Sequence, residues 1–209
     1  MTAPSRRRYA PRLPVAARRE QLLDAALFLA AHHGAGAVTM ERVARQAGVT
    51  KPVVYELFAE RADLYGALLD REEQRALERL RRVVPPNLAG ARSAHDVVAP
   101  AVQALLDAVR AEPDAWRILL MSADALPDSA RDRYRSRRAE LLTAVGALLS
   151  GARERGHQFR FADLELLAHS VVVLGELAGR LVMDSDELTF ARITDHFTTL
   201  IADVLERSP

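Results

Sequence analysis

The chain has no cysteine, so neither a disulfide framework nor thiolate chemistry is open to it, and a reducing compartment is expected. Aromatic residues make up only 5% of it, and β-branched runs are short. No uninterrupted apolar run approaches the ~18–20 residues of a membrane span. The arginine-bearing N-terminus is not followed by the apolar stretch of a secretory signal, so a cytoplasmic protein without a membrane partner is expected. Catalytic signatures are missing as well. There is no glycine-rich phosphate loop, nucleophile elbow or paired-histidine metalloprotease helix, and an enzyme is not expected. Lysine is almost absent too: Lys51 is the only one.

What is present is a 209-residue chain with 49% hydrophobic and 27% charged residues, enough to bury a substantial core. Alanine, leucine, arginine and glutamate recur throughout, which favours an all-α fold. The net charge of +1 conceals an asymmetry. Residues 1–19 carry Arg6, Arg7, Arg8, Arg12, Arg18 and Arg19 and no acid, whereas residues 160–209 hold four arginines against nine acids. A polyanionic partner at one end only is the expected consequence.

Apolar periodicity and helix punctuation give about nine helices. Residues 1–14 form a basic, proline-containing arm, and a first helix spans about Ala16–His32, stopped by Gly34. Thr39 N-caps a second helix that Gly48 closes. Thr50 caps a third, with Pro52 in its first turn. A fourth runs from Arg61 to about Val83, and Pro85-Pro86 marks the domain boundary. The remainder reads as helices over Ser93–Ala111, Pro113–Ala123, Ser129–Arg155, Phe161–Met183 and Thr189–Glu206. The expected organisation is an arm (1–14), a helix-turn-helix domain (15–60), a connecting helix (61–84) and a C-terminal helical domain (85–209).

The segment Thr39–Phe58 carries the chemistry. Ala44 permits a close helix crossing, Gly48 can take the positive φ of the turn, and Val43, Ala47, Val49, Val54 and Leu57 supply a shared core. The third helix is only about two turns long, so few side chains can reach a DNA groove: Thr50, Lys51, Val53 and Tyr55 are the candidates. Lys51 opposes the helix dipole, a penalty that a phosphate or a guanine edge would offset; the alternative is an inconsequential exposed lysine. Thr39 and Thr50 can contact phosphates, cap helices, or do both. Arg42 and Arg45 are backbone-contact candidates or simply surface charges. The acid-free arm, with Arg6–Arg8, is expected to enter a minor groove.

Helix 1, the Thr39-initiated helix, the Ala-Gly-Val-Thr turn, the Tyr55…Phe58 ending and the Arg61 opening of helix 4 together resemble the TetR (tetracycline-repressor-like) family of transcription regulators over roughly residues 20–70. The resemblance implies a homodimer that reads a palindromic double-stranded DNA operator, most simply as a repressor released by a small-molecule inducer. It also implies phosphate contacts by Tyr55 and Arg61. Glu56 and Leu57 depart from the frequent basic residue and histidine, and Pro52 replaces a frequent glycine, which stiffens the recognition helix and removes a backbone donor. These departures leave base preference unread.

In the C-terminal half, Ala168, Val172, Gly175 and Gly179 form a small-residue stripe. With Phe197 and Ile201 of the last helix, it suits either a dimer seam or close packing within one chain. Trp116, Leu119, Leu120, Met121, Tyr134, His169 and Val172 are candidates for a cavity taking a small hydrophobic or amphipathic effector. Glu165, His169 and Glu176 lack the further ligands a metal would need, so no metal or cofactor is expected. The competing reading is a DNA-binding adaptor or architectural protein whose C-terminal domain binds a protein. An enclosed apolar cavity would favour the effector, and a filled core the adaptor.

Overall fold

The computed structural model describes residues 13–83, 93–121, 128–185 and 188–206. The basic arm up to residue 12 and the Pro85-Pro86 boundary lie outside the described residues. Among those described, nine α-helices account for nearly all regular structure, with one isolated antiparallel bridge between Phe159 and Glu206. The first four are α1 (Val15–His33), α2 (Met40–Gln46), α3 (Lys51–Tyr55) and α4 (Arg61–Val83). They are followed by α5 (Ala94–Ala111), α6 (Pro113–Leu119), α7 (Asp128–Glu154), α8 (Leu164–Asp184) and α9 (Phe190–Leu205).

Most boundaries follow local chemistry. The Ser93 side chain accepts from the Asp96 amide while the Asp96 carboxylate accepts from the Ser93 amide, a reciprocal box that starts α5. Pro100 lies inside α5 without ending it. Helix α8 starts at Leu164 rather than at the expected Phe161, because the Asp163 carboxylate accepts from the amides of Glu165 and Leu166 at 3.0 and 3.1 Å. Helix α6 ends at Leu119 rather than at the expected Ala123: Leu120 is its C-cap, its amide donating to the Trp116 carbonyl, and Met121 is no longer helical, while residues 122–123 lie outside the described residues.

The N-terminal core is built by Leu22, Leu23, Ala26 and Leu29 of α1, Val43 of α2, Val54 of α3, Phe58, and Leu64, Tyr65 and Leu68 of α4. Ile118 of α6 is fully buried in that same core, with Leu119, Met121 and Tyr134 packed around it. The expected domain division is therefore crossed by apolar contacts. A second core joins α5, α7, α8 and α9 through Val98, Leu106, Leu149, Leu167, Ile193 and Phe197. A third, smaller cluster of Ala76, Ala108, Val109 and Trp116 lies where α4, α5 and α6 meet.

Helix α4 is also tied by charge on two sides. Arg71, only 8% exposed as a side chain, reaches Asp24 and Glu20 of α1 at 2.7 and 3.2 Å and its neighbour Glu72 at 2.6 Å. Toward α7, Asp70 receives Arg137 at 2.6 Å and Arg133 at 3.2 Å, and Arg137 also pairs with Glu73.

Helix α8, with a mean hydropathy of 1.6 over its most apolar window, is long and apolar enough to cross a membrane. Glu165, His169, Glu176 and Arg180 interrupt its sequence, which is why no uninterrupted run stands out. In the fold it packs against α5, α7 and α9, and Glu176 pairs with Arg138 of α7.

Candidate nucleic-acid interface and domain-junction cleft

The turn between α2 and α3 is fixed by backbone hydrogen bonds. Gly48 has φ +66°, its amide donates to Arg45 at 3.2 Å, and the Val49 amide donates to Ala44 at 2.9 Å. This is the paired closure of a Schellman motif, and it places the left-handed residue where glycine has no steric penalty. The Gln21 side-chain amide of α1 donates to the Ala47 carbonyl at 2.9 Å, so α1 holds the turn directly. Sequence reasoning missed Gln21. A side chain bonding a backbone carbonyl 26 residues away leaves no local pattern.

Thr39 caps α2 as expected, its hydroxyl accepting from the Arg42 amide at 3.2 Å. Thr50 occupies the corresponding position before α3, but its side chain makes no capping bond. Its exposed hydroxyl is thus uncommitted. In α3, Val54 is fully buried while Lys51, Pro52 and Tyr55 face outward and Val53 is half-buried. The Lys51 ammonium lies 5.8 Å from the centre of the Tyr55 ring, and Tyr55 is 47% exposed. One short helix therefore presents a cation, an aromatic phenol and a free hydroxyl on its outer face. Phe58 is core, with the Arg19 guanidinium 5.3 Å from its ring centre.

Two arginines are more constrained than the sequence suggests. Arg61 opens α4 but donates through Nη2 to the Ala35 carbonyl at 2.8 Å, so it braces the connection after α1. Its Nε is buried without a partner, as is the Nε of Arg42. Any phosphate contact must use their remaining N–H groups. Arg45 is exposed on the same helix as Arg42.

The expected effector residues do not come together in one cavity. Trp116 sits in the α4–α5–α6 cluster, Tyr134 packs on the N-terminal core, His169 is exposed on α8, and Val172 is buried within the protomer. Only Leu120 and Met121 line a cleft, of about 400 Å³, and it lies at the domain junction. Its walls are the end of α1 (Ala30, Ala31, His32 and Gly34), the end of α6 with Arg117, and Arg180, Met183 and Asp184 of α8. Among the described residues, no group of three or more His, Asp or Glu side chains could hold a metal ion.

The expected dimer stripe is turned inward. Ala168, Val172, Phe197 and Ile201 are buried within the protomer. A Cβ on Gly175 would lie 3.4 Å from Leu105, and one on Gly179 would lie 2.7 Å from Leu120. Those absent side chains let α8 approach α5 and α6. A different face is left uncovered: Leu141 and Leu148 of α7 and Leu166, Val173 and Leu177 of α8 are all exposed, Leu166 to 65%. Helices α7 and α8 pack against each other and are tied by the Arg138–Glu176 pair, so these exposed residues lie on two neighbouring helices.

Comparison with known proteins agrees with this architecture. Residues 22–68 match the family model described as bacterial regulatory proteins, tetR family. The transcriptional activator FasR of Mycolicibacterium smegmatis is 31% identical over 108 residues, which cover 52% of this chain and 48% of that protein. The match thus spans about half the length of this curated relative. A TetR-like transcriptional regulator from Rhodococcus sp. RHA1 superposes with a TM-score of 0.71 and 26% identity over 91% of this chain and 96% of that one. A transcriptional regulator from Saccharomonospora viridis in complex with choline superposes with a TM-score of 0.69 and 19% identity, over 92% of this chain and 100% of that one. The helix-turn-helix unit is thus similar in sequence to the tetR family of bacterial regulatory proteins, and the helical architecture as a whole is similar to that of a TetR-like regulator.

Proposed function

We propose that the protein is a homodimeric transcription regulator that binds a palindromic DNA operator and responds to a small molecule. The observation carrying this reading is α3, whose Val54 anchors it to the core while Thr50, Lys51, Pro52 and Tyr55 face outward. Lys51 would contact a phosphate or a guanine edge, and Tyr55, Thr39, Thr50 and Arg42 the backbone. Val53 would meet a thymine methyl. Arg61, engaged with Ala35, would act mainly by holding the unit's shape.

Dimerisation would use the exposed strip of Leu141, Leu148, Leu166, Val173 and Leu177. Contiguous exposed apolar surface favours association. Two recognition helices would then meet successive major grooves, with their separation set by the dimer. An effector that prefers the protein off DNA would shift the population toward release. Repression is the proposed sign, because a dimer covering a promoter excludes polymerase without needing a further contact surface. The FasR relative is named as an activator. A promoter fusion carrying the selected operator therefore tests the sign separately.

The filled core of α5, α7, α8 and α9 supports a second reading, in which the C-terminal half binds a protein partner. Selection of bound fragments from a random duplex pool tests the main proposal. An enriched inverted repeat is expected, and Lys51→Ala should weaken binding to it with a salt slope lower by about one. A pool without enrichment would remove the proposal.

A further inference from the structure

The cleft at the domain junction combines features that together describe a ligand. Arg180 and Asp184 stand one turn apart on α8 and both face the cleft, yet they do not pair with one another. Among the described residues neither has a partner of opposite charge. Arg180 donates only to the Leu120 carbonyl, at 3.2 Å. Arg117 adds a second cation, held by Asp114 at 3.0 Å. Three helices, α1, α6 and α8, end at this cleft, so carbonyl-rich negative termini converge on it. Between these polar features lie Leu120, Met121 and Met183.

A simple anion would meet two arginines but also Asp184 and three negative helix ends. A simple cation would meet the reverse. A molecule carrying both charges on a short apolar body satisfies each wall. Its carboxylate faces Arg180 and Arg117, and its ammonium faces Asp184 and the helix termini. Its side chain lies on the adaptable methionine surface. The volume of about 400 Å³ lies at the lower end of the ~300–1,000 Å³ range of small-molecule pockets. We propose that this cleft binds a free α-amino acid with an apolar side chain.

The position gives such a ligand a lever. The last turn of α1 forms one wall, and Met121, on another, also packs on the N-terminal core. Occupancy therefore changes how α1 sits against α6. That this is felt at DNA rests on the regulator reading; binding itself does not.

The first experiment uses the full chain without DNA. Trp116, the sole tryptophan, neighbours Arg117 on α6, and its fluorescence is titrated with L-leucine, L-methionine and L-valine. Saturation-transfer NMR on the same compounds serves as a second readout. At least one amino acid should bind saturably. Its analogues lacking one charge (4-methylpentanoate and 3-methylbutylamine for leucine) should bind at least ten-fold more weakly. Arg180→Gln should weaken amino-acid binding at least ten-fold and leave the amine unchanged, and Asp184→Asn should do so and leave the carboxylate unchanged. Circular dichroism confirms that both variants are folded. No saturable binding by any of the three, or binding indifferent to both substitutions, overturns the site. The second experiment repeats the titration with the selected DNA. An amino acid that binds without altering DNA affinity overturns the effector role. Failure to bind any DNA removes the regulator reading and leaves the fluorescence result to decide the site.

Discussion

The Gln21 side chain of α1 donates to the Ala47 carbonyl at 2.9 Å, linking the first helix to the turn that aims the recognition helix. Ala47 is the last residue before Gly48, whose backbone reverses the chain. The bond fixes the turn without touching the outward face of α3. Gln21→Leu should cost about 1 kcal/mol of stability, the net worth of one such hydrogen bond. It should weaken operator binding several-fold while leaving the salt slope unchanged, because no phosphate contact is removed. Binding titrations at several salt concentrations measure both quantities, and a changed slope would place Gln21 on the DNA.

Tyr65 is fully buried, and its hydroxyl has no protein partner. Burial pushes its phenol from 10.0 up to about 12, with the Arg61 charge pulling the other way. Below pH 10 the phenol is neutral in both folded and unfolded chains and adds no pH dependence. Between pH 10 and 12 the unfolded chain loses the proton first, so stability falls by about 1.4 kcal/mol per pH unit. Tyr65→Phe should keep or raise stability at neutral pH, since an unpaired hydroxyl is removed. It should also lose this alkaline decline. Urea unfolding of both proteins at pH 9 and pH 11.5 isolates the effect, and parallel declines would contradict it.

Arg71 and Glu72, adjacent on α4, form a buried ion pair where α4 meets α1, with Glu72 only 2% exposed. Arg71→Met leaves Glu72 with Arg75, at 3.6 Å, as its nearest compensation. That single change should cost ~3–5 kcal/mol, the usual penalty for stranding a buried charge. The double variant Arg71→Met/Glu72→Met should be markedly more stable than the single one. Chemical denaturation of the set decides; equal losses in both would show that the charge was not stranded.

The uncovered strip on α7 and α8 gives a clean contrast with the glycines on the opposite side of α8. Leu166→Glu with Val173→Glu should yield folded monomers by light scattering, because both residues are exposed in the protomer. Gly175→Leu should instead lower the melting temperature, because even an added Cβ would lie 3.4 Å from Leu105 and the rest of the side chain would have no room. A dimer that survives the double charge substitution would place the seam elsewhere.

The helix-turn-helix unit was legible because its constraints are local. Thr39, Gly48 and Pro52 each act within a few residues of their own position. The C-terminal half was less so. A stripe of small residues on α8 encodes close approach by some helix, and nothing in the stripe distinguishes Leu105 and Leu120 of the same chain from a second protomer. Trp116 and Tyr134 are equally ambiguous, since an aromatic that plugs a helix junction has the same sequence signature as one that lines a cavity. The early start expected for α8 ignored the capping strength of Asp163.

Ile118 has a consequence for modularity. Contributed by α6, it completes the core of residues 22–69, so cutting the chain after α4 would leave an open apolar socket where α6 packs on α1 and α4. A fragment made that way would expose surface suited to self-association. The N-terminal unit thus cannot simply be lifted out and joined to another sensor. Any recombined partner would have to bring its own plug for that socket.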